Sequence, residues 1–384
     1  MFKVESKFAT QNVTIFSVMT EMAQRLNALN LSQGFPDFPA PPDLVEVLCK
    51  ASRDGHHQYA PGDGLLTLRE QLAAQFYKRD QINIDPRAQL TITPGATIAI
   101  FCAIQAMIRP GDEVIIFDPS YDSYVPSVQM MGGSCKRIAL QAPEFKVDWE
   151  HLKQQVNSKT RMIVVNTPHN PSATVWTRED WQQLIKLVQD TNIVILSDEV
   201  YEHLVFDGRP HLSALSFPEL AERSFVIGSF GKTFHVTGWR VGYCVAPQAL
   251  MDEVVKVHQF LMFSADTPMQ YAFAEYMKDP QTYLHLAKFY QHKRDLMISS
   301  LAESPFELIP SSGSFFLLAS YGHLSQEKDS DVVTRLIKEQ GVATIPLSAF
   351  YTDGTDNKVI RLSFAKDDAT IIAGAQALCR ARFD

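Results

Sequence analysis

The segment Ser-Phe-Gly-Lys-Thr-Phe-His-Val-Thr-Gly-Trp-Arg-Val-Gly-Tyr, residues 229–243, places Lys232 three residues after Ser229 and eight before Arg240. A lysine amine is a nucleophile once it has lost its proton, and a hydroxyl beside a guanidinium is a donor set for an oxyanion. Alone, that spacing also describes two solvated surface charges. Other polar residues follow short apolar runs elsewhere: Gly95-Ala96-Thr97 after 90–93, Tyr121 in DPSYDSY after 113–117, Asn170 in TPHNP after 161–166, and Asp198 and Tyr201 after 192–197. Each has a commoner explanation when taken singly, such as a helix cap, a loop end or a core aromatic. As an ordered set they fit a phosphorylated aromatic ligand. Backbone amides and the Thr97 hydroxyl at a helix start would bind the anion, with Ser229 and Arg240. Tyr121 would stack on the ring, Asn170 and Tyr201 would donate to a ring oxygen, and Asp198, held ionised, would keep a ring nitrogen protonated. Lys232 would be the nucleophile.

The elements that must carry these residues are legible in the apolar pattern. The runs MIVV, IVIL and FVIG, bounded by turns, read as strands buried on both faces, and helices between them imply a mostly parallel sheet. Strands are expected at 90–93, 113–117, 161–166, 192–197, 225–229 and 241–246, and helices at 44–53, 65–78, 98–107 and over TREDWQQLIKLVQD, with Thr177 as cap and Asp180 three residues on. In such a sheet, ligands bind beyond the carboxyl ends of the strands, where the polar residues above would collect. Before residue 40 the apolar residues Val18, Met19, Met22, Ala23, Leu26 and Leu29 recur at helical spacing, and the proline-rich GFPDFPAPP then leads away. After about residue 280 the rhythm changes to one long helix at 282–301, short strands at 314–318, 342–345 and 359–364, and helices at 329–340 and 367–382. The expected fold is α/β: a large domain over 41–281 with a mostly parallel central sheet, and a smaller α+β domain from 1–40 and 282–384.

Composition narrows the function. A chain of 384 residues, 46% hydrophobic and 20% charged, has no apolar run long enough to cross a bilayer. Its formal charge of -8 argues against a nucleic-acid backbone as partner. The opening stretch MFKVESKFATQNVTIF lacks the apolar core of a secretion signal. Five widely spaced cysteines suggest neither a disulfide framework nor a metal site, so a cytoplasmic setting and no metal are expected.

The motifs GFPDFPAPP, HQYAPGDG, TPGAT, DPSYDSY, NTPHNPSATVW, SDEVYEHLVFDG, SFGKTFHVTGWRVGY and PLSAFY together resemble the class I aminotransferases of pyridoxal-phosphate fold type I. The resemblance covers nearly the whole chain. It is strongest to the branch holding kynurenine aminotransferase, glutamine transaminase K and bacterial methionine aminotransferase. It implies pyridoxal 5'-phosphate as cofactor, with Lys232, Asp198 and Tyr201 catalytic. Lys232 matches the lysine bonded to the cofactor, Asp198 the partner of its ring nitrogen, Asn170 and Tyr201 the ligands of its ring oxygen, and Tyr121 the stacking aromatic. Gly95, Ala96, Thr97, Ser229 and Arg240 match the phosphate cup, with Tyr59 reaching in from a second subunit. Arg361 matches the arginine that grips the substrate carboxylate, helped by Asn170 and the backbone of Gly34. Phe16, Tyr121, Phe350 and, from the second subunit, Phe263 match pocket walls.

A homodimer acting on small amino acids and 2-oxo acids is thereby implied, with no nucleic acid or membrane partner. Methionine leads as amino donor; phenylalanine, tyrosine, leucine, histidine and glutamine also fit apolar and aromatic walls. Two departures stand out. His169 replaces a common asparagine, with a surface histidine and a substrate contact as the two readings, and Ser172-Ala173 replaces Thr or Ser followed by Gly. A carbon–sulfur β-lyase on the same scaffold, and a regulatory protein with a vestigial cofactor site, remain the alternatives at this point.

Overall fold

The computed structural model describes residues 15–383. Most of the stretch read for a secretion signal therefore lies outside the described residues. Thirteen strands occur among them: β1 (Leu29–Asn30), β2 (Leu90–Thr93), β3 (Glu113–Asp118), β4 (Ser134–Ala139), β5 (Thr160–Asn166), β6 (Val194–Asp198), β7 (Ser224–Ser229), β8 (Gly242–Val245), β9 (Glu307–Ile309), β10 (Phe316–Ser320), β11 (Val342–Ala343), β12 (Ile345–Pro346) and β13 (Val359–Ser363).

Seven of these form the central sheet in the order β2-β8-β7-β6-β5-β3-β4. The pairs β3–β4, β3–β5, β5–β6 and β6–β7 are parallel, and β8 alone runs against its neighbours. The apolar runs explain why. Ile163, Val165, Ile195 and Val226 pack to one side of the sheet, while Met162, Val164, Leu196, Phe225 and Ile227 pack to the other. With a side-chain period of two, only a strand covered on both faces needs apolar residues at consecutive positions. β4 lies at the edge, and its sequence Ser-Cys-Lys-Arg-Ile-Ala leaves most side chains partly exposed, so it carries no such run. The helix Arg178–Val188 starts as its sequence predicts: Thr177 Oγ1 accepts from the Asp180 amide, and Asp180 Oδ2 from the Thr177 amide. No helix of the described residues is long and apolar enough to cross a membrane.

A second, antiparallel sheet has the order β12-β13-β10-β9. β1 pairs in parallel with β11, Leu29 opposite Val342, which fastens the N-terminal segment to the C-terminal part of the chain. The helical spacing that extends to Leu29 is thus interrupted. The first helix is Ile15–Arg25, Asn27 turns the chain at φ +49, and Leu29 enters a strand instead. The helix expected at 282–301 is likewise two, Gln281–Leu284 and Leu286–Ser300, and the strand expected at 342–345 divides between two sheets.

Candidate active site

β7 ends at Ser229, whose hydroxyl accepts from the Lys232 amide at 3.3 Å and starts the single turn Phe230–Thr233. That turn lifts the lysine over the carboxyl edge of the sheet. Its Nζ donates to the Gly34 carbonyl at 3.0 Å and stands 5.3 Å from the Phe315 ring centroid and 5.7 Å from that of Tyr201. Burial, followed by the cations Arg361 and Arg240, pushes the amine down to about 8, against the pull of Asp198. Lys232, Asp198, Arg240 and Arg361 all line one cavity of about 360 Å³.

Asp198 closes β6 and is 4% exposed. Burial raises its carboxyl to about 6, while the Tyr124 hydroxyl, donating to Oδ2 at 2.6 Å, and the Val200 amide, donating to Oδ1 at 3.3 Å, favour the ionised form. A cation held against this carboxylate would complete its ionisation. At the next edge of the cavity, the helix Ala96–Met107 begins after Gly95. Ala96 and Thr97 line the cavity, and their amides, in the first turn, have no carbonyl partner within that helix. Arg240, in the left-handed region at φ +53, donates to the Thr237 carbonyl at 3.2 Å. Gly95, at φ +84, lets the guanidinium approach the helix start: a Cβ there would lie 2.7 Å from Arg240 Nη2.

Arg361 lies on β13, opposite Leu318 of β10 and Ile345 of β12. It is 1% exposed, with Nη1 donating to Asn170 Oδ1 at 2.6 Å and Nη2 to the Ser32 carbonyl at 3.1 Å. Its guanidinium lies 3.9 Å from the Phe316 ring centroid and 4.8 Å from that of Phe350. Burial pushes it down to about 9, still cationic at neutral pH. Nη1 and Nη2 each carry two N–H groups and each makes one of these bonds, so donor capacity remains for an incoming carboxylate.

Residues 27–378 match the family of class I and II aminotransferases. The chain belongs to that family. It is 46% identical to the methionine aminotransferase of Escherichia coli, over 97% of each chain. It is also similar to human kynurenine–oxoglutarate transaminase 3, at 34% identity over 94% of this chain and 86% of that one. Among crystal structures it superposes on the N-succinyldiaminopimelate aminotransferase of Mycobacterium tuberculosis with a TM-score of 0.93 and 34% identity, over 98% of this chain and 99% of that chain.

This aminotransferase has fold type I and depends on pyridoxal 5'-phosphate. The residues present fit that group: a half-buried amine with a lowered pKa, a buried carboxylate short of a cation, and a helix start beside the Arg240 guanidinium in a cavity that Ser229 also lines.

The structure brings most of the expected residues to this cavity: Phe16, Gly34, Ala96, Thr97, Tyr121, Asn170, Asp198, Tyr201, Ser229, Lys232, Arg240 and Arg361 all line it. Others lie elsewhere. Gly95 sits behind the lining at the helix start, and Phe350 packs behind Arg361, 5.6 Å from Phe16, instead of forming the cavity wall. Tyr59, 82% exposed, and Phe263 pack against each other away from the cavity of their own chain.

The surface reading of His169 is overturned. The ring is 5% exposed and outside the cavity lining; its Nδ1 bonds Ser172 Oγ at 2.6 Å and burial pushes it down to about 4. Sequence reasoning missed Tyr124, which closes the DPSYDSY motif and holds Asp198. It also missed Asn166, whose Oδ1 accepts the Asn170 amide at 2.8 Å. The second tyrosine of the motif was the available signal for the first; nothing local marked Asn166 apart from its place at a strand end.

Proposed function

We propose that this aminotransferase moves the amino group of methionine, or of another apolar or aromatic amino acid, to a 2-oxo acid. The observation that carries the reading is the charge inventory of the cavity. Among the described residues lining it, the cations are Lys232, Arg240 and Arg361. Lys232 is assigned to the cofactor aldehyde, Arg240 to the phosphate and Arg361 to the substrate α-carboxylate, which leaves no cation for a second carboxylate. Phe16, Phe35, Ile100 and Phe316 supply apolar wall, which suits a polarisable thioether or an aromatic ring. The likeness to the Escherichia coli methionine aminotransferase supports the same choice.

Bound pyridoxal phosphate supplies an electron-accepting ring that acidifies the hydrogen on the substrate α-carbon. The Nζ of Lys232 is assigned as the base that takes this hydrogen. With its pKa near about 8, about a tenth of the amine is neutral at pH 7, against roughly a few parts in ten thousand for an ordinary lysine. Asp198, held by Tyr124, stabilises positive charge at the ring nitrogen. Asn170 and Tyr201 would address the ring oxygen, and Tyr121 would pack on the ring. The Gly95-Ala96-Thr97 helix start, Ser229 and Arg240 would hold the phosphate. Arg361 orients the carboxylate with Asn170 and the Gly34 backbone, so that Cα faces Lys232.

The exposed Tyr59 and Phe263, packed on each other, suit a homodimer in which each copy completes the site of the other. Residues 41–281 would form the large domain and 1–40 with 282–384 the small one, and five free cysteines suit the cytoplasm. The deciding experiment compares methionine, phenylalanine, glutamine, kynurenine and aspartate as donors to one 2-oxo acid. Methionine and phenylalanine should exceed aspartate by about tenfold or more in kcat/KM. A win for aspartate overturns the pocket reading, and pyruvate with ammonia from a cysteine conjugate, formed without any oxo acid, would mark a β-lyase.

A further inference from the structure

Lys366 lies just beyond β13 and is 2% exposed. A buried ammonium is costly unless its hydrogen bonds are worth that cost. Its Nζ donates to the Phe35 carbonyl at 2.8 Å and stands 5.0 Å from the Phe35 ring centroid. The preceding carbonyl, Gly34, is the one that accepts from Lys232 Nζ at 3.0 Å. Two consecutive peptide groups are thus each held by a different lysine, the half-buried Lys232 inside the cavity and the buried Lys366 behind it.

The same segment is tied down twice more. The Asp367 amide donates to Asp37 Oδ1 at 2.6 Å, and Arg361 Nη2 donates to the Ser32 carbonyl. The turn that carries Lys366 is itself fixed, because Lys293 Nζ donates to the Lys366 carbonyl at 2.7 Å and to Asp368 Oδ1 at 3.1 Å. On the cavity side, Gly34 has no slack: a Cβ on it would lie 2.9 Å from Phe316 Cζ, and Phe316 is the ring beneath the Arg361 guanidinium. A small rotation of the Gly34 peptide would therefore disturb both the lysine and the arginine.

We propose that Lys366 and Asp37 are positioning residues that strap segment 32–37 from behind and so hold the Gly34 peptide in register with Lys232 and Arg361. The proposal rests on the assignment of those two residues made above. It requires that loosening the strap weaken carboxylate binding without removing any group that touches substrate.

The test uses Lys366→Met, Lys366→Arg and Asp37→Ala in the full-length protein, with 4-(methylthio)butanoate, a carboxylate without an amino group, as probe. Hydrogen exchange of peptides spanning 31–38 is followed in the cofactor-free and loaded forms, and the Kd of the probe is measured on the loaded form. Lys366→Met should speed exchange in both forms and raise the Kd by about tenfold, the scale of one hydrogen bond to a charged group. Lys366→Arg, which keeps donors at that place, should restore most of both. Asp37→Ala, a change at an exposed side chain, should speed exchange with a smaller rise in Kd, and it carries the test if Lys366→Met does not fold. Unchanged exchange in Asp37→Ala and Lys366→Met, or a change in exchange with the Kd unmoved, overturns the proposal. Absence of methionine turnover by the unaltered enzyme would instead count against the assigned function and leaves the exchange result standing.

Discussion

The two ends of the cavity are built by different means. The end holding Lys232, Asp198, Thr97 and Ser229 comes from the carboxyl ends of β2, β6 and β7, strands of one sheet, and several of its hydrogen bonds are local, Lys232 to Ser229, Arg240 to Thr237 and Val200 to Asp198, with Tyr124 to Asp198 and Lys232 to Gly34 reaching further. The end holding Arg361 is assembled across the chain. Its guanidinium reaches Asn170, 191 residues away, and Ser32, 329 residues away. Folding of the central sheet sets the backbone of the first end, and the Gly34 carbonyl of the N-terminal segment holds the Lys232 amine. The second exists only when the N-terminal segment, the loop after β5 and the antiparallel sheet meet. The part that handles a fixed cofactor therefore meets the distant segments chiefly through the Gly34 contact, and the part that selects substrate depends throughout on how those three segments dock.

The largest expected effect lies at the sheet-built end. Asp198→Ala removes the charge that stabilises a protonated ring nitrogen and should lower kcat roughly a thousandfold with the cofactor still bound, as absorbance would report. A near-normal rate would break the division of labour between the ends. Next comes Arg361. Lysine there keeps the charge but loses the planar fork, so kcat/KM should fall about a hundredfold. The ends are also coupled by charge, because Arg361 is among the causes that lower the Lys232 pKa. Capture of pyridoxal phosphate by the cofactor-free protein needs a neutral amine, so its rate should rise with pH to a midpoint near about 8. Arg361→Met removes a cation, raises the lysine pKa and should move that midpoint to higher pH, whereas Arg361→Lys should leave it in place. Equal midpoints in all three proteins would show that the two ends are electrically independent.

The same contrast governs what could be read in advance. The strand-end residues were legible because a strand buried on both faces announces itself as an apolar run, and the functional residue follows directly. Ser229 and Lys232 after FVIG and Asp198 after IVIL needed no knowledge of distant segments. Arg361 sits in VIRLSF, where nothing local separates it from a sheet-edge arginine, and only the family resemblance assigned it. β4 escaped notice because an edge strand has no need of a continuous apolar run. The helical spacing extending to Leu29 failed for another reason: pairing with Val342, far along the chain, decides the conformation there. Tyr124 and Lys366 act through partners distant in sequence that only the folded chain brings together.

His169 sharpens the comparison at its smallest scale, since it stands one residue before Asn170, where the loop after β5 joins the two ends. Its Nδ1 bonds Ser172 Oγ, which in turn lies 2.8 Å from Thr174 Oγ1, while the His169 amide donates to the Thr174 carbonyl at 2.8 Å. The network closes the loop on itself, and Ala173 within it adopts φ +61. Burial holds the ring down to about 4, so between there and the ordinary histidine value the unfolded chain takes up a proton that the folded chain refuses. Stability should therefore fall as pH drops through that window. His203, pushed down to about 3, and His235, to about 4, contribute with the same sign. His169→Asn removes one such proton: the unfolding free energy from denaturant titrations should fall less steeply between pH 6.5 and pH 4 than in the unaltered protein, by at most about 1.4 kcal/mol per pH unit, while kcat/KM for methionine stays within about threefold. An unchanged slope would mean that the ring already exchanges with solvent in the folded state. A large loss of kcat/KM would mean that the loop's internal bonds, and not only the docking of Arg361, set the position of Asn170.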